Sequence, residues 1–356
     1  MREHKTLLKI VLLCFACLVA GTWIARGTGE GKTGVTVVRN DAARRVDILV
    51  DGKAFASYVY PVNVYKPILF PLRSPSGNIV TRGFPLEPRP GESKDHPHHT
   101  GAWFNYGDVN GVDFWGHSDA TKPEELKKMG TIFHRSIKEA KSGKDHGELE
   151  VTADWVIPDG STILREETEY VFRATADSRI IDRTTKLTAL DKRARFNDTK
   201  EGAFAIRVAK SLEHPSKDQQ VFTDARGNKT AVGKKEAGAA TGFYLSSEGK
   251  TGDEVWGTRG RWVILTGMVN GEPLTLGIFD YPKNPGYPTY WHARGYGLFS
   301  ANPFGWKDFT NKKEEFNFAI EPKQSATFRW RVWIWSGKAS ADQAEGQYKK
   351  FVSEVK

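Results

Sequence analysis

Residues 148–157, ELEVTADWVI, alternate strictly: Leu149, Val151, Ala153, Trp155 and Ile157 fall on one side, Glu148, Glu150, Thr152 and Asp154 on the other. In an extended chain successive side chains point to opposite faces, so this pattern specifies a half-buried antiparallel strand. Noisier runs of the same kind cover 34–39, 44–50, 53–59, 131–138, 162–175, 179–190, 262–267, 274–280 and 325–335. Turn pairs such as Asp51-Gly52, Asp159-Gly160 and Asn270-Gly271 separate them. Long consecutive strands without crossover helices predict an all-β, mainly antiparallel chain built as a large two-sheet sandwich. Two helices complete the expectation. Thr121-Lys-Pro123-Glu124 reads as a capping box opening a short helix near 122–129. Ser340 caps a C-terminal helix whose stripe is Ala341, Ala344, Tyr348, Phe351 and Val355. The lysine- and glycine-rich segment 211–240 is expected to be a mobile insertion.

The first 26 residues read differently. Arg2, Lys5 and Lys9 precede the apolar run 10–20, the pattern of an export signal or an N-terminal anchor. Residues 27–356 then form a single domain, placed in the periplasm or secreted. Cys14 and Cys17 are the chain's two cysteines and both fall in that leader, so the rest has no disulfide and no thiolate chemistry. The net charge is +9, and removing 1–25 takes away three bases and Glu3, lowering it by two. A basic exported protein leaves acidic partners such as uronate or sulfated glycans open. The sequence has no nucleic-acid recognition motif, and nothing after residue 26 predicts a span, so neither nucleic acid nor a membrane beyond the leader is an expected partner.

Chemistry concentrates in DHPHHTGAWFNYGDVNGVDFWGH, 95–117, which holds four of the nine histidines. Pro97 excludes a helix there. Read as extended chain, the segment puts His96 and His98 on one side and His99 on the other. In the run 201–207, Phe204 and Ile206 face a core with Val208, leaving Glu201, Ala203, Ala205 and Arg207 on the other face. The two alanines leave floor space for a ligand. In 290–296, Tyr290, His292, Arg294 and Tyr296 share a face as hydrogen-bonding groups. Arg grips carboxylates, and Tyr and Trp rings suit the apolar faces of sugars.

The set SPSGNIVTRGFP (74–85), DHPHHTGAWFNYGDVNGVDFW (95–115), EGAFAIRVA (201–209), WGTRGRWVILTG (256–267) and DYPKNPGYPTYWHARGYGLFSANPFG (280–305) resembles the bacterial family catalogued as "methane oxygenase PmoA". The membrane methane monooxygenase subunit of that name is a bundle of transmembrane helices, which this sequence does not encode. The resemblance implies an exported protein of polysaccharide-degrading bacteria, with a fold similar to the galactose mutarotase β-supersandwich, a superfamily that includes sugar epimerases and polysaccharide lyases. Fold analogy of this kind implies no single reaction.

Resemblance and residues converge on one cleft. His99, Glu201, His292 and Tyr290 are the candidate catalytic groups, and Arg207, Arg294, Tyr296, Trp103, His98 and Asp280 the candidate substrate contacts. Acid–base work uses His99 or His292 with Glu201. Elimination from a uronate uses Tyr290 or a histidine as base, with Arg294 or Arg207 on the carboxylate. Hydrolysis needs two carboxyl groups about 5 to 10 Å apart, for which Glu201 and Asp280 are the pair. Two readings of other classes stay open: a metal site from His96, His98 and His117 or His292, and a glycan-binding protein without turnover. The sequence names no cofactor.

Overall fold

Two eight-stranded sheets carry the fold. The computed structural model describes residues 34–215, the backbone of 220–223 and 229–232, and residues 240–355. The expected leader, 1–26, and most of the expected mobile insertion, 211–240, lie outside the described residues. The first sheet runs in the order Val35–Asn40, Arg45–Val50, Lys53–Val59, Ile68–Leu72, Ala102–Tyr106, Gly202–Arg207, Leu298–Asn302, Tyr290–Ala293. The second runs Phe243–Ser246, Trp262–Val269, Glu272–Asp280, Ser325–Ser336, Ser178–Ala189, Thr162–Ala174, His146–Val156, Thr131–Lys141. Every pairing within them is antiparallel. The two-residue turns behave as their chemistry demands: Asp51 and Gly52 take φ of 49 and 75°, Asn270 and Gly271 of 50 and 82°.

The inner faces of the sheets meet in one apolar core. Leu149, Val151, Ala153 and Trp155 are buried there, as the alternation of 148–157 requires. Phe104 and Phe204 of the first sheet pack on Trp330 of the second, at ring separations of 5.4 and 5.2 Å. The mainly antiparallel two-sheet sandwich is therefore the fold. The C-terminal helix, Ala341–Glu354, starts at a capping box of Ser340 and Gln343. It lays Ala344, Tyr348 and Phe351 on the outer face of the second sheet, against Trp262, Phe279 and Trp333. Ala341 is exposed rather than part of that stripe. The expected helix near 122–129 shrinks to a 3-10 turn, Leu126–Lys128. Its capping residue is diverted, because the Thr121 hydroxyl accepts from the Ser118 N–H instead.

The outer face of the first sheet is covered by loops instead of a helix. A second apolar layer sits on it, made by Val64, Ile68, Phe70, Trp103, Trp115, Ala205 and Leu298. Register places Ile68, Trp103, Ala205, Ser300 and His292 in one row across five strands of that face. This row is the floor on which the polar groups converge.

Candidate functional site

At one end of the row, residues 95–99 form a tight turn. The His99 N–H donates to the His96 carbonyl at 2.9 Å, with Pro97 and His98 at the corner. Proline presets φ for that corner position, so the segment folds back where an extended reading expects alternation. All three imidazoles consequently cluster. His96 stacks parallel to His99 at 4.8 Å, and His98 meets His99 edge-on at 4.3 Å. Gly101 makes the approach to the sheet possible: it takes φ of 63°, and a Cβ there would lie 2.4 Å from the Leu69 carbonyl oxygen.

Two buried guanidiniums hold the turn. Arg82 donates to the carbonyls of Asp95, His96 and His99 at 2.7 to 2.9 Å and to Asp95 Oδ1 at 3.0 Å. Arg207 donates to the same Oδ1 at 2.8 Å and to Ser93 Oγ at 3.0 Å. Burial pushes the Asp95 carboxyl up, but His96, Arg207 and Arg82 outweigh it and hold it well below the usual carboxylate range. Burial and the neighbouring Arg207 bring Arg82 down to about 9. The Tyr296 ring covers Arg207 at 4.8 Å and stacks on His96 at 5.2 Å.

His99 is buried, and its Nδ1 lies 3.4 Å from Arg207 Nη1. Arginine only donates, so Nδ1 accepts and the neutral ring carries its proton on Nε2. That Nε2–H has no hydrogen-bond partner among the described residues, and neither does the buried Trp115 Nε1–H. Burial, with the other histidines adding to it, keeps His99 well below its ordinary value.

Lys66, Asp113 and Glu201 supply the remaining charge. Lys66 is buried, donates to the His98 carbonyl at 2.8 Å, and lies 5.5 Å from the Trp103 ring. Burial lowers its ammonium to about 7, against the pull of Asp113. Burial and Glu201 raise Asp113, while the N–H groups of Gly116 and Trp115 work the other way. The Glu201 side chain is 36% exposed and pairs with Lys200 at 3.2 Å. Burial brings Tyr296 up to about 12, against Arg207 and Arg294, with Glu201 adding to the rise. Groups of separated proton affinity thus lie within electrostatic reach of one another, the arrangement acid–base chemistry needs.

His98, His99, Trp103, Arg207 and Tyr296 of the sequence-derived set therefore lie together. His292 adjoins them: it donates from Nδ1 to the carbonyl of Lys200, next to Glu201, at 2.9 Å. Strand spacing puts its Cα ~10 Å from that of Ala205 along the row. Burial lowers His292 to about 3, making it a weak base.

Other expectations need correction. Arg207 and Trp103 are fully buried, so they support the site from beneath and do not face solvent. Arg294 and Tyr296 do not continue a strand face; Tyr290–Ala293 ends before them, and 294–297 is a turn closed by the Gly297 N–H on the Arg294 carbonyl at 2.9 Å. Arg294 is exposed there, between the rings of Trp256 and Tyr296 at 5.5 and 5.9 Å. Tyr290 packs on Phe309 and Trp306 and under Arg259, sharing Phe309 with His292 and having no ring contact with the 96–99 turn among the described residues. Asp280 belongs to the second sheet and is fully buried, with Asn284 donating to Oδ1 at 2.7 Å and the Thr289 N–H to Oδ2 at 3.0 Å. It pins the 281–289 loop and does not pair with Glu201. His117 stacks on Tyr65 at 3.7 Å and is held by the Gly130 carbonyl, away from the 96–99 turn. Among the described residues no three His, Cys, Asp or Glu side chains come together as a metal-binding group. Lys66, Asp113 and the pairing of Asp95 with His96 are what sequence reasoning missed, His96 having entered it as a candidate metal ligand. Only the adjacency of Asp95 and His96 left a visible signal.

Fold and site together define an antiparallel β-sandwich with a histidine- and arginine-built polar site on the outer face of one sheet. Residues 45–349 match a family of unknown function (DUF6807), and the chain belongs to that family. The description assigns no activity and does not carry the methane-oxygenase designation. No functionally curated protein matches the chain. Similar solved structures include a putative aldose 1-epimerase from Escherichia coli K12, at 8% identity and TM-score 0.37 over 85% of this chain and 99% of that one. A galactose mutarotase-like protein from Clostridium acetobutylicum is similar at 11% identity and TM-score 0.40, over 85% of this chain and 99% of that one. The galactosidase domain of an alpha-galactosidase-sucrose kinase is similar at 10% identity and TM-score 0.40, over 86% of this chain. This chain spans 42% of the length of that last structure.

Proposed function

We propose that this chain is an exported carbohydrate-active protein that binds a saccharide over the 95–99 turn and processes it by acid–base chemistry. The observation that carries the reading is Tyr296: one ring lies within 6 Å of His96, Arg207 and Arg294. Aromatic faces ringed by fixed donors suit a sugar, which presents an apolar face and a rim of hydroxyls. The exposed Arg294 suits a carboxylate, which favours an acidic sugar unit. Export rests on the basic and apolar pattern of residues 1–26.

Calorimetric titration of the purified protein with neutral and uronate-containing oligosaccharides, followed by product analysis, tests the reading. Arg294→Ala is expected to weaken binding of the acidic ligand about tenfold, ~1.4 kcal/mol, with the thermal melt unchanged. Equal loss for neutral and acidic ligands removes the acidic assignment, and binding without product identifies a glycan-binding protein. Cell fractionation of the native host checks export, with retention in the cytoplasm as the contrary result.

A further inference from the structure

We propose that His96 is the general base of this site and that Asp95, clamped by Arg82 and Arg207, is its positioning residue; the assignment rests on the saccharide-processing reading above. Among the histidines of the site, His96 is the one that reaches solvent with a carboxylate behind it. Its side chain is 44% exposed, whereas His99 and His292 are 1% and 3% exposed. His99 offers a donor and not a lone pair, because Arg207 occupies its Nδ1.

His96 Nδ1 lies 2.5 Å from Asp95 Oδ2. The carboxylate accepts there, so Nδ1 carries the proton and the Nε2 lone pair is left free. Asp95 cannot turn away, since its other oxygen takes both guanidiniums at 2.8 and 3.0 Å, from side chains that are 0 and 1% exposed. The imidazole plane is fixed as well, parallel within 2° to both Tyr296 and His99.

The backbone carries a further mark. His96 has φ of 43°, a left-handed conformation unusual for a side-chain-bearing residue, more so before proline. Arg82 Nη2 and the His99 N–H both bond the His96 carbonyl and hold it there. Strained residues that the surrounding structure over-determines cluster at functional sites. A purely architectural role would need Asp95 to neutralise the two arginines, and that job leaves no reason for an exposed imidazole in this conformation.

In the reaction, Nε2 takes a proton from a substrate O–H or C–H, and the electron pair of the broken bond stays on the substrate. The imidazolium is stabilised by Asp95 and later gives the proton back to the product or to water. Asp95, Arg82 and Arg207 touch no substrate and act through the ring.

Two readouts test this on the full chain. Long-range proton–nitrogen NMR at pH 8 is expected to find His96 protonated on Nδ1 and bare on Nε2; an Nε2–H tautomer overturns the assignment. Diethyl pyrocarbonate followed by peptide mass spectrometry is expected to modify His96 ahead of His98, His99 and His292, at least fivefold more slowly in Asp95→Asn. An unchanged rate in that variant overturns the dyad. Neither readout needs a saccharide, so both decide the proposal even if the carbohydrate reading fails. Where a saccharide is turned over, His96→Gln is expected to lower kcat at least 100-fold with binding within threefold. A kcat within tenfold of the unaltered protein, with an unchanged melt, overturns the catalytic role.

Discussion

Replacing Asp95 by alanine removes the one anion shared by two buried guanidiniums. Among the described residues Arg82 keeps the carbonyls of Ser93, Asp95, His96 and His99, and Arg207 keeps Ser93 Oγ as its one close oxygen acceptor. Breaking a buried ion pair from one side costs about 3–5 kcal/mol, because the charge left behind is uncompensated. An unfolding entropy of about 2.1 cal/mol/K per residue, over roughly 300 described residues, gives ~0.6 kcal/mol/K. The midpoint in scanning calorimetry at pH 7 is therefore expected to fall by about 5–8 °C. Asp95→Asn keeps an acceptor oxygen and is expected to fall less. The pH dependence has a definite sign. The folded-state affinity of Asp95 for protons is depressed, so its contribution is present above the unfolded value of about 3.9 and is lost as pH drops below it. The decline in stability below pH 4 is expected to be shallower in Asp95→Asn than in the unaltered chain. A midpoint within 1 °C for Asp95→Ala, or an unchanged acid limb for Asp95→Asn, refutes the clamp.

Lys66→Met tests the buried amine. Burial has lowered Lys66 to about 7, so its contribution to stability rises as pH climbs from about 7 towards 10, and Met is expected to abolish that rise in a melt series. Asp280, pushed up to about 7 by burial, contributes most below pH 4 and loses that contribution as pH rises to about 7. Asp280→Asn is expected to flatten the stability profile across that window and to leave saccharide binding unchanged. Binding lost with the fold intact would return Asp280 to the site.

The fold was legible because burial imposes a period of two on any strand with one wet face, and 148–157 states that period plainly. Ser340 and the Ala344, Tyr348, Phe351 stripe made the C-terminal helix equally readable. The site was legible only in part. Its members meet through tertiary packing: Arg82 and Arg207 reach the same carboxylate from 13 and 112 residues away. Lys66 carried no signal, since a lone lysine between Tyr65 and Pro67 reads as a solvated loop until the fold buries it. Arg294 was placed on a strand by parity, and the turn at 294–297 moved it off the face. Asp280 looked like a catalytic carboxylate because sequence cannot tell an acid that faces a ligand from one that fastens a loop.

The most direct measurement is a crystal structure of the protein with the tightest-binding oligosaccharide from the titration panel. A sugar ring is expected in contact with Tyr296, with one of its oxygens within hydrogen-bond distance of His96 Nε2 and Arg294 on its charged substituent. A sugar seated elsewhere, such as the 320 Å³ pocket on the other side of Lys66 lined by Tyr60, Tyr65 and Phe133, with the 95–99 turn untouched, would contradict that expectation.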